Sequence, residues 1–239
     1  MQKVLDWQIS NTEVVKKENV GEIMFTINPR KSDGTLAPLI NLQNIDLSLF
    51  LNREGQARDE KIFDGSLSDI LQHMYAGTTM LEVVQTPLAT GYNLRLKFGS
   101  FPFVLVGDDT LTIKLNAGKP SDSFTNAVIS DSTIVLYTNP SPQANPYGVV
   151  PTYVNYTVGT GKTSFDENIG SDVAKIVLAT DNNASYNAST KTKVKTSRLL
   201  ASSGYKEDFT IDELLAKNQE FLAVNPDSTI GNLVHYVST

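Results

Sequence analysis

Apolar and polar residues alternate with a period of two along most of this chain. Glu22 to Ile27 reads as a strand, and so does Ile45 to Leu51, whose odd positions are all apolar. Tyr92 to Phe98, Leu111 to Leu115, Ser132 to Tyr137 and Tyr153 to Val158 follow the same rule. Alternation of this kind gives one wet face and one buried face, the pattern of antiparallel sheets. Ala174 to Thr180, Thr190 to Thr196, Glu220 to Val224 and Ile230 to Val237 are further strand candidates. Turn residues punctuate the series at Gly34, Gly91, Gly107-Asp108-Asp109, Asp181-Asn182-Asn183 and Pro226-Asp227.

Two short stretches have helical character instead. Ser66 to Tyr75 opens with a capping pattern, in which the Ser66 hydroxyl accepts from the amide of Asp69 and Asp69 adds charge at the positive helix end. Thr210 to Lys217 has the same design, with Thr210 as cap and Glu213 three residues on. Many strands with two isolated short helices predict an all-β fold of sandwiches or barrels with short crossover helices.

These two helical stretches also resemble each other. Asp64 to Leu71 aligns with Asp208 to Leu215 at an offset of 144, and six of the eight positions are identical or chemically equivalent. Strands at Gly21 to Ile27 and Ile45 to Leu51 precede the first copy, and strands at Tyr153 to Val158 and Ala174 to Thr180 precede the second. Chance likeness between capped amphipathic helices is one reading and internal duplication is the other. The shared order of flanking elements favours duplication. Residues 139–151 lie between the copies and hold four of the ten prolines. Proline lacks the donor that a central strand needs, so this stretch reads as a stiff linker. The expected domains are residues 1–138 with an N-terminal arm, the linker 139–151, and residues 152–239.

Composition narrows the function classes. A chain of 239 residues can bury a core without metal or disulfide staples. Cysteine is absent, which excludes disulfides and thiolate metal sites and suits assembly in a reducing cytoplasm. The net charge is −6 with both signs interspersed, and no long basic run marks a nucleic-acid footprint. No apolar run approaches the length of a membrane-spanning helix. Met1 to Trp7 lacks the apolar core and cleavage site of a secretory signal, so the expectation is a soluble protein used without export by that route. The glycosylation-type matches at Asn155, Asn183 and Asn187 then carry little meaning.

Candidate chemistry is sparse. Gly159-Thr160-Gly161-Lys162-Thr163 ends like a phosphate-binding loop, but Tyr156 stands where that motif needs its first glycine, and a strand-like run follows rather than a helix. His73 and His235 are the only histidines, and neither sits in a metal-ligand spacing. Asp181, Asn183, Ser185 and Asn187 alternate like a calcium loop, yet Thr192 replaces the closing glutamate and the sixth-position glycine is missing. Asp108-Asp109 reads either as a turn or as a pair of hard-cation ligands. Lys191, Lys193 and Lys195 share one strand face; they read as a solvated edge, or alternatively as contact with an anionic surface. No catalytic, cofactor-binding or metal-ligating residue is therefore assigned. The expectation is a protein that is not an enzyme and carries no cofactor; structural calcium has no motif behind it.

Three stretches carry a family resemblance: Ile45 to Met74, with its strand followed by Phe63-Asp64-Gly65-Ser66-Leu67-Ser68-Asp69-Ile70-Leu71; the strand pair Phe101 to Leu115; and the C-terminal pair Glu220 to Val224 and Ile230 to Val237. Together with the doubled strand–strand–helix order, they resemble the double jelly-roll major capsid proteins of tailless icosahedral phages with an internal membrane, of corticovirus and finnlakevirus type. The resemblance implies two jelly rolls in one chain. It implies a homotrimer of pseudo-hexagonal outline that tiles an icosahedral shell in the virion after synthesis in the host cytoplasm. The implied partners are further copies of the chain, penton and minor capsid proteins and an underlying viral membrane, with no specific nucleic acid. A different class remains open beside it, a carbohydrate- or receptor-binding β-sandwich of a spike or tail fibre. That class needs clustered exposed aromatics, for which Tyr147, Tyr153, Tyr156, Tyr186, Tyr205 and the single tryptophan, Trp7, are the scattered candidates.

Overall fold

A computed structural model describes residues 1–68, 70, 91–97, 103–140, 163–164, 166, 175–179, 196–200, 206–210, 212–213, 216 and 232–236. Eight strands lie among the described residues of 1–140: β1 (Gln2–Leu5), β2 (Ser10–Lys16), β3 (Val20–Asn28), β4 (Asp46–Asn52), β5 (Glu60–Ser66), β6 (Tyr92–Lys97), β7 (Thr110–Asn116) and β8 (Thr133–Pro140). They form two antiparallel four-stranded sheets, ordered β1-β8-β3-β6 and β2-β7-β4-β5. The all-β expectation holds at this level.

The alternation in the sequence sets which face is buried. Ile23, Phe25 and Ile27 of β3 and Leu94 and Leu96 of β6 point inward from one sheet. Leu47, Leu49 and Leu51 of β4 and Leu111, Ile113 and Leu115 of β7 point inward from the other. All belong to one hydrophobic cluster, so the two sheets share a core. A register shift between Leu49 and Phe50 leaves Ile62 of β5 as an extra residue opposite β4. That bulge explains how the adjacent residues Ile62 and Phe63 can both be buried in a strand.

Three connections close one end of this sandwich and are bonded to one another. The amide of Gln8 donates to the carbonyl of Gly118, that of Val128 to Arg30, and that of Thr125 to Pro38. A short helix, α1 (Pro120–Ser123), lies in the last of these connections. Phe124 follows it and stacks on Tyr92 with ring centroids 5.4 Å apart. The Tyr92 hydroxyl donates to the Ala37 carbonyl at 3.0 Å and accepts from the Leu39 amide at 3.1 Å, which fastens the connection between β3 and β4 to the core.

Several strands went unmarked in the sequence. β1 and β2 lie in the stretch read as an arm, and each forms one outer strand of its sheet, with β6 and β5 at the opposite edges. β5 runs through Ser66, the first residue of the first predicted helix, of which Leu67, Ser68 and Ile70 are helical. The predicted strand from Phe101 to Val106 is not a ladder strand among the described residues: Phe103 makes a single bridge to Val20. β8 runs two residues past the expected linker start, pairing Asn139 with Glu22 and Pro140 with Val20.

Four strands are described beyond residue 140. β9 (Lys175–Ala179) pairs antiparallel with β12 (Asn232–Tyr236), and β10 (Thr196–Leu200) pairs antiparallel with β11 (Lys206–Thr210). Thr210 ends β11, and Asp212, Glu213 and Ala216 are helical. The predicted capping box is present: Glu213 Oε2 accepts from the Thr210 amide at 2.8 Å, and the Glu213 amide donates to Thr210 Oγ1 at 3.3 Å. The strand that meets this helix is β11, hairpinned to β10, and not Ala174 to Thr180 as the sequence alignment had it. The expected strands Tyr153 to Val158 and Glu220 to Val224 lie outside the described residues, as does Thr190 to Thr196 apart from Thr196 itself.

Candidate functional site

The densest polar constellation among the described residues sits at the end of the sandwich opposite the Tyr92–Phe124 stack, where β4 enters the β5 connection and residues 104–109 lead into β7. Asp109 is only 5% exposed. Its carboxylate accepts from Arg53 Nη1 at 2.8 Å, from the Glu54 amide at 2.8 Å and from the Val106 amide at 3.2 Å. Arg53 Nη1 also donates to the Val104 carbonyl at 2.8 Å. These side chains take up backbone groups that a strand would have offered to a neighbour. That is the physical reason the apolar run through Val104 and Val106 turns away from the sheet. The carboxylate sits close to the surface, covered by its donors rather than deep in the core. The Glu54 amide, then the Arg53 guanidinium and the Val106 amide, hold its pKa below the ordinary aspartate value, against the opposite pull of burial.

Beside this staple lies an open, shallow cleft lined by Lys17, Glu54, Leu105, Gly107 and Asp108. Gly107 has φ +60°, and a Cβ there would stand 2.3 Å from a carboxylate oxygen of Glu54. The left-handed turn is what favours glycine here, since the Glu54 carboxylate is the free end of a flexible side chain and could move aside. Of the two readings of Asp108-Asp109, the turn accounts for Asp109, since three donors already occupy its carboxylate. Among the described residues no group of three or more His, Cys, Asp or Glu is placed to hold a metal ion.

A second polar cluster spans three strands on the outer face of the β1-β8-β3-β6 sheet. Both Arg95 Nε and Arg95 Nη2 donate to the Glu22 carboxylate, and Asn139 Nδ2 donates to Glu22 Oε2 at 2.8 Å. Glu22 is 9% exposed, so the pairing covers an otherwise costly charge. In the sequence Glu22 looks like an ordinary wet-face residue. Nothing local links it to Asn139, because the antiparallel pairing of β3 with β8 makes that contact between residues 117 apart in the chain.

The remaining candidates that fall on described residues do not converge. Trp7 is buried, and its indole N–H donates to the Ser132 carbonyl at 3.1 Å, so it offers no open stacking platform. His235 lies in β12 opposite Ile176. Thr163 is exposed. The rest of the glycine-rich stretch 159–162, together with His73, Asp181, Asn183, Ser185, Asn187, Lys191, Lys193, Lys195, Tyr147, Tyr153, Tyr156, Tyr186 and Tyr205, lies outside the described residues. No described helix is long and apolar enough to cross a membrane. No protein-family profile matches this chain, and no curated protein matches it.

Proposed function

We propose that this chain is a structural subunit of a viral shell: a major capsid protein with two jelly-roll units, assembling as trimers of pseudo-hexagonal outline in an icosahedral virion. One observation carries the reading. The strand orders β1-β8-β3-β6 and β2-β7-β4-β5 support a jelly-roll reading of residues 1–140, an eight-stranded sandwich wound as two Greek keys. Such a fold hosts many functions, so the order by itself supports the architecture rather than the role.

Recurrence of part of that order supports doubling. β3, β4, β5 and a helix follow one another in the first half, and β8 comes later, after β6 and β7, with β3 paired to β8 and β4 hairpinned to β5. β9, β10, β11, a helix and β12 follow one another in the second, with β9 paired to β12 and β10 hairpinned to β11. In the chain, residues 29–45 separate β3 from β4, and residues 180–195, outside the described residues, separate β9 from β10. In both hairpins the second strand ends on a hydroxyl residue at the helix start, Ser66 or Thr210, paired with the first residue of the partner strand, Asp46 or Thr196.

On this reading the partners are copies of the same chain, penton and minor capsid proteins and an underlying membrane, and no catalytic residue is needed. Light scattering and negative-stain microscopy of the purified full chain test it. Trimers, or shell fragments with hexagonal outlines, are expected. A protein that stays monomeric at every accessible concentration and never assembles sinks the proposal.

A further inference from the structure

The outer strands β1 and β2 lie on one flank of the sandwich, with β6 and β5 at the other edges, and each carries a charged residue on its inward face. Burial along β2 alternates so that Asn11 and Glu13 share a face with core Val15. Glu13 stands opposite Ile113, and Asn11 opposite Leu115, both core residues. Lys3 shares a face with buried Leu5 and stands opposite buried Leu136. Lys3 Nζ and Glu13 Oε1 meet across the gap between the sheets at 3.2 Å, with side-chain exposures of 55% and 18%. A partly exposed pair of this kind contributes little to stability. Its placement is what matters. Both charges keep contact with water because, among the described residues, no strand pairs with the outer edge of β1 or β2. Pairing another strand onto either edge would cover that opening and strip water from two charges that face a hydrophobic core.

We propose that Lys3 and Glu13 guard this flank, preventing a strand of a second copy from adding to the open edges of β1 and β2. The inference concerns the folded chain and does not depend on the shell reading. If that reading also holds, copies meet through faces or ends and not through this flank.

The test compares the full-length protein with Glu13→Val, with Lys3→Val/Glu13→Val and with the charge-swapped Lys3→Glu/Glu13→Lys. Light scattering against concentration and amide exchange of residues 2–5 and 10–16 are read for each. The valine variants are expected to show a concentration-dependent rise in mass above that of the unaltered chain, with slowed exchange on the β1 and β2 amides. The swapped variant, which keeps charge on the inward face, is expected to match the unaltered chain. Circular dichroism checks folding, and Glu13→Thr replaces any valine variant that misfolds. Valine or threonine variants with unchanged mass and exchange overturn the proposal, as does a swapped variant that associates as strongly as they do. A monomeric unaltered chain would count against the shell reading and leave this comparison intact.

Discussion

Replacing Asp109 by alanine removes the acceptor that joins residues 53–54 to residues 104–109. The amides of Glu54 and Val106 then lose their partner, and Arg53 keeps only the Val104 carbonyl. A shielded amide left without an acceptor costs on the order of 1–3 kcal/mol, and the lower end applies here because the cluster is near the surface. The charge-assisted bond to a guanidinium whose side chain is 35% exposed adds about 1 kcal/mol at most. The expected loss is therefore about 2–4 kcal/mol, a large part of the roughly 5–15 kcal/mol that holds a typical domain together. Urea unfolding followed by fluorescence of Trp7, the single tryptophan, reports on this half of the chain. Asp109→Asn retains an oxygen for the Glu54 amide but sets an NH2 against other donors, so it should fall between alanine and the unaltered chain. Arg53→Met should cost less than either. The pH dependence has a fixed sign. A carboxylate whose folded pKa is depressed stabilises fully above its ordinary value of 3.8, and the contribution fades as pH falls through the lower folded value. The gap between the unaltered chain and Asp109→Asn should thus hold steady near neutrality and narrow only below about pH 4. An Asp109→Ala variant within about 0.5 kcal/mol of the unaltered chain would refute the staple.

Three further outcomes follow from particular contacts. Tyr92→Phe should cost about 1–3 kcal/mol by orphaning the Leu39 amide and the Ala37 carbonyl, with faster amide exchange confined to residues 36–42 as the readout. Gly91→Ala places a Cβ 2.4 Å from the Ile27 carbonyl oxygen at φ +125°, so thermal unfolding should show a loss of about 3 kcal/mol or more. Thr210→Ala should cost about 1 kcal/mol of helix stability, seen as exchange of the Glu213 amide. Because hydrogen bonds from Thr210 hold the Glu213 pKa below 4.5, the same cap should loosen as pH falls through that lowered value.

Which contacts were legible depended on their range. The Thr210–Glu213 box spans three residues, so spacing and residue type were enough to predict it. The Asp109 staple reaches back 56 residues to Arg53, and in the sequence Asp108-Asp109 looked like a turn or a cation site. The Phe101 to Val106 run has the composition of a strand, but Arg53 and Asp109 bind the backbone groups that a ladder would use. β1 and β2 escaped notice because their inward faces carry Lys3, Asn11 and Glu13. Only an outermost strand can hold such residues, since it alone leaves them a path to water.

The sequence by itself determined the strand-rich class and the buried faces of β3, β4, β6, β7 and β8. Side-chain direction alternates with a period of two whatever the strand's neighbour, so the pattern is written locally. It also determined the capped helix start at Thr210. Tertiary structure alone decided which strands pair, where the register shifts, and which strands lie outermost. Pairing depends on contacts between residues distant in the chain, and no local pattern encodes a partner. The inward charges on β1 and β2 show the difference plainly. In the sequence they weaken a strand pattern, and in the folded chain their position at the open edges makes them a guard.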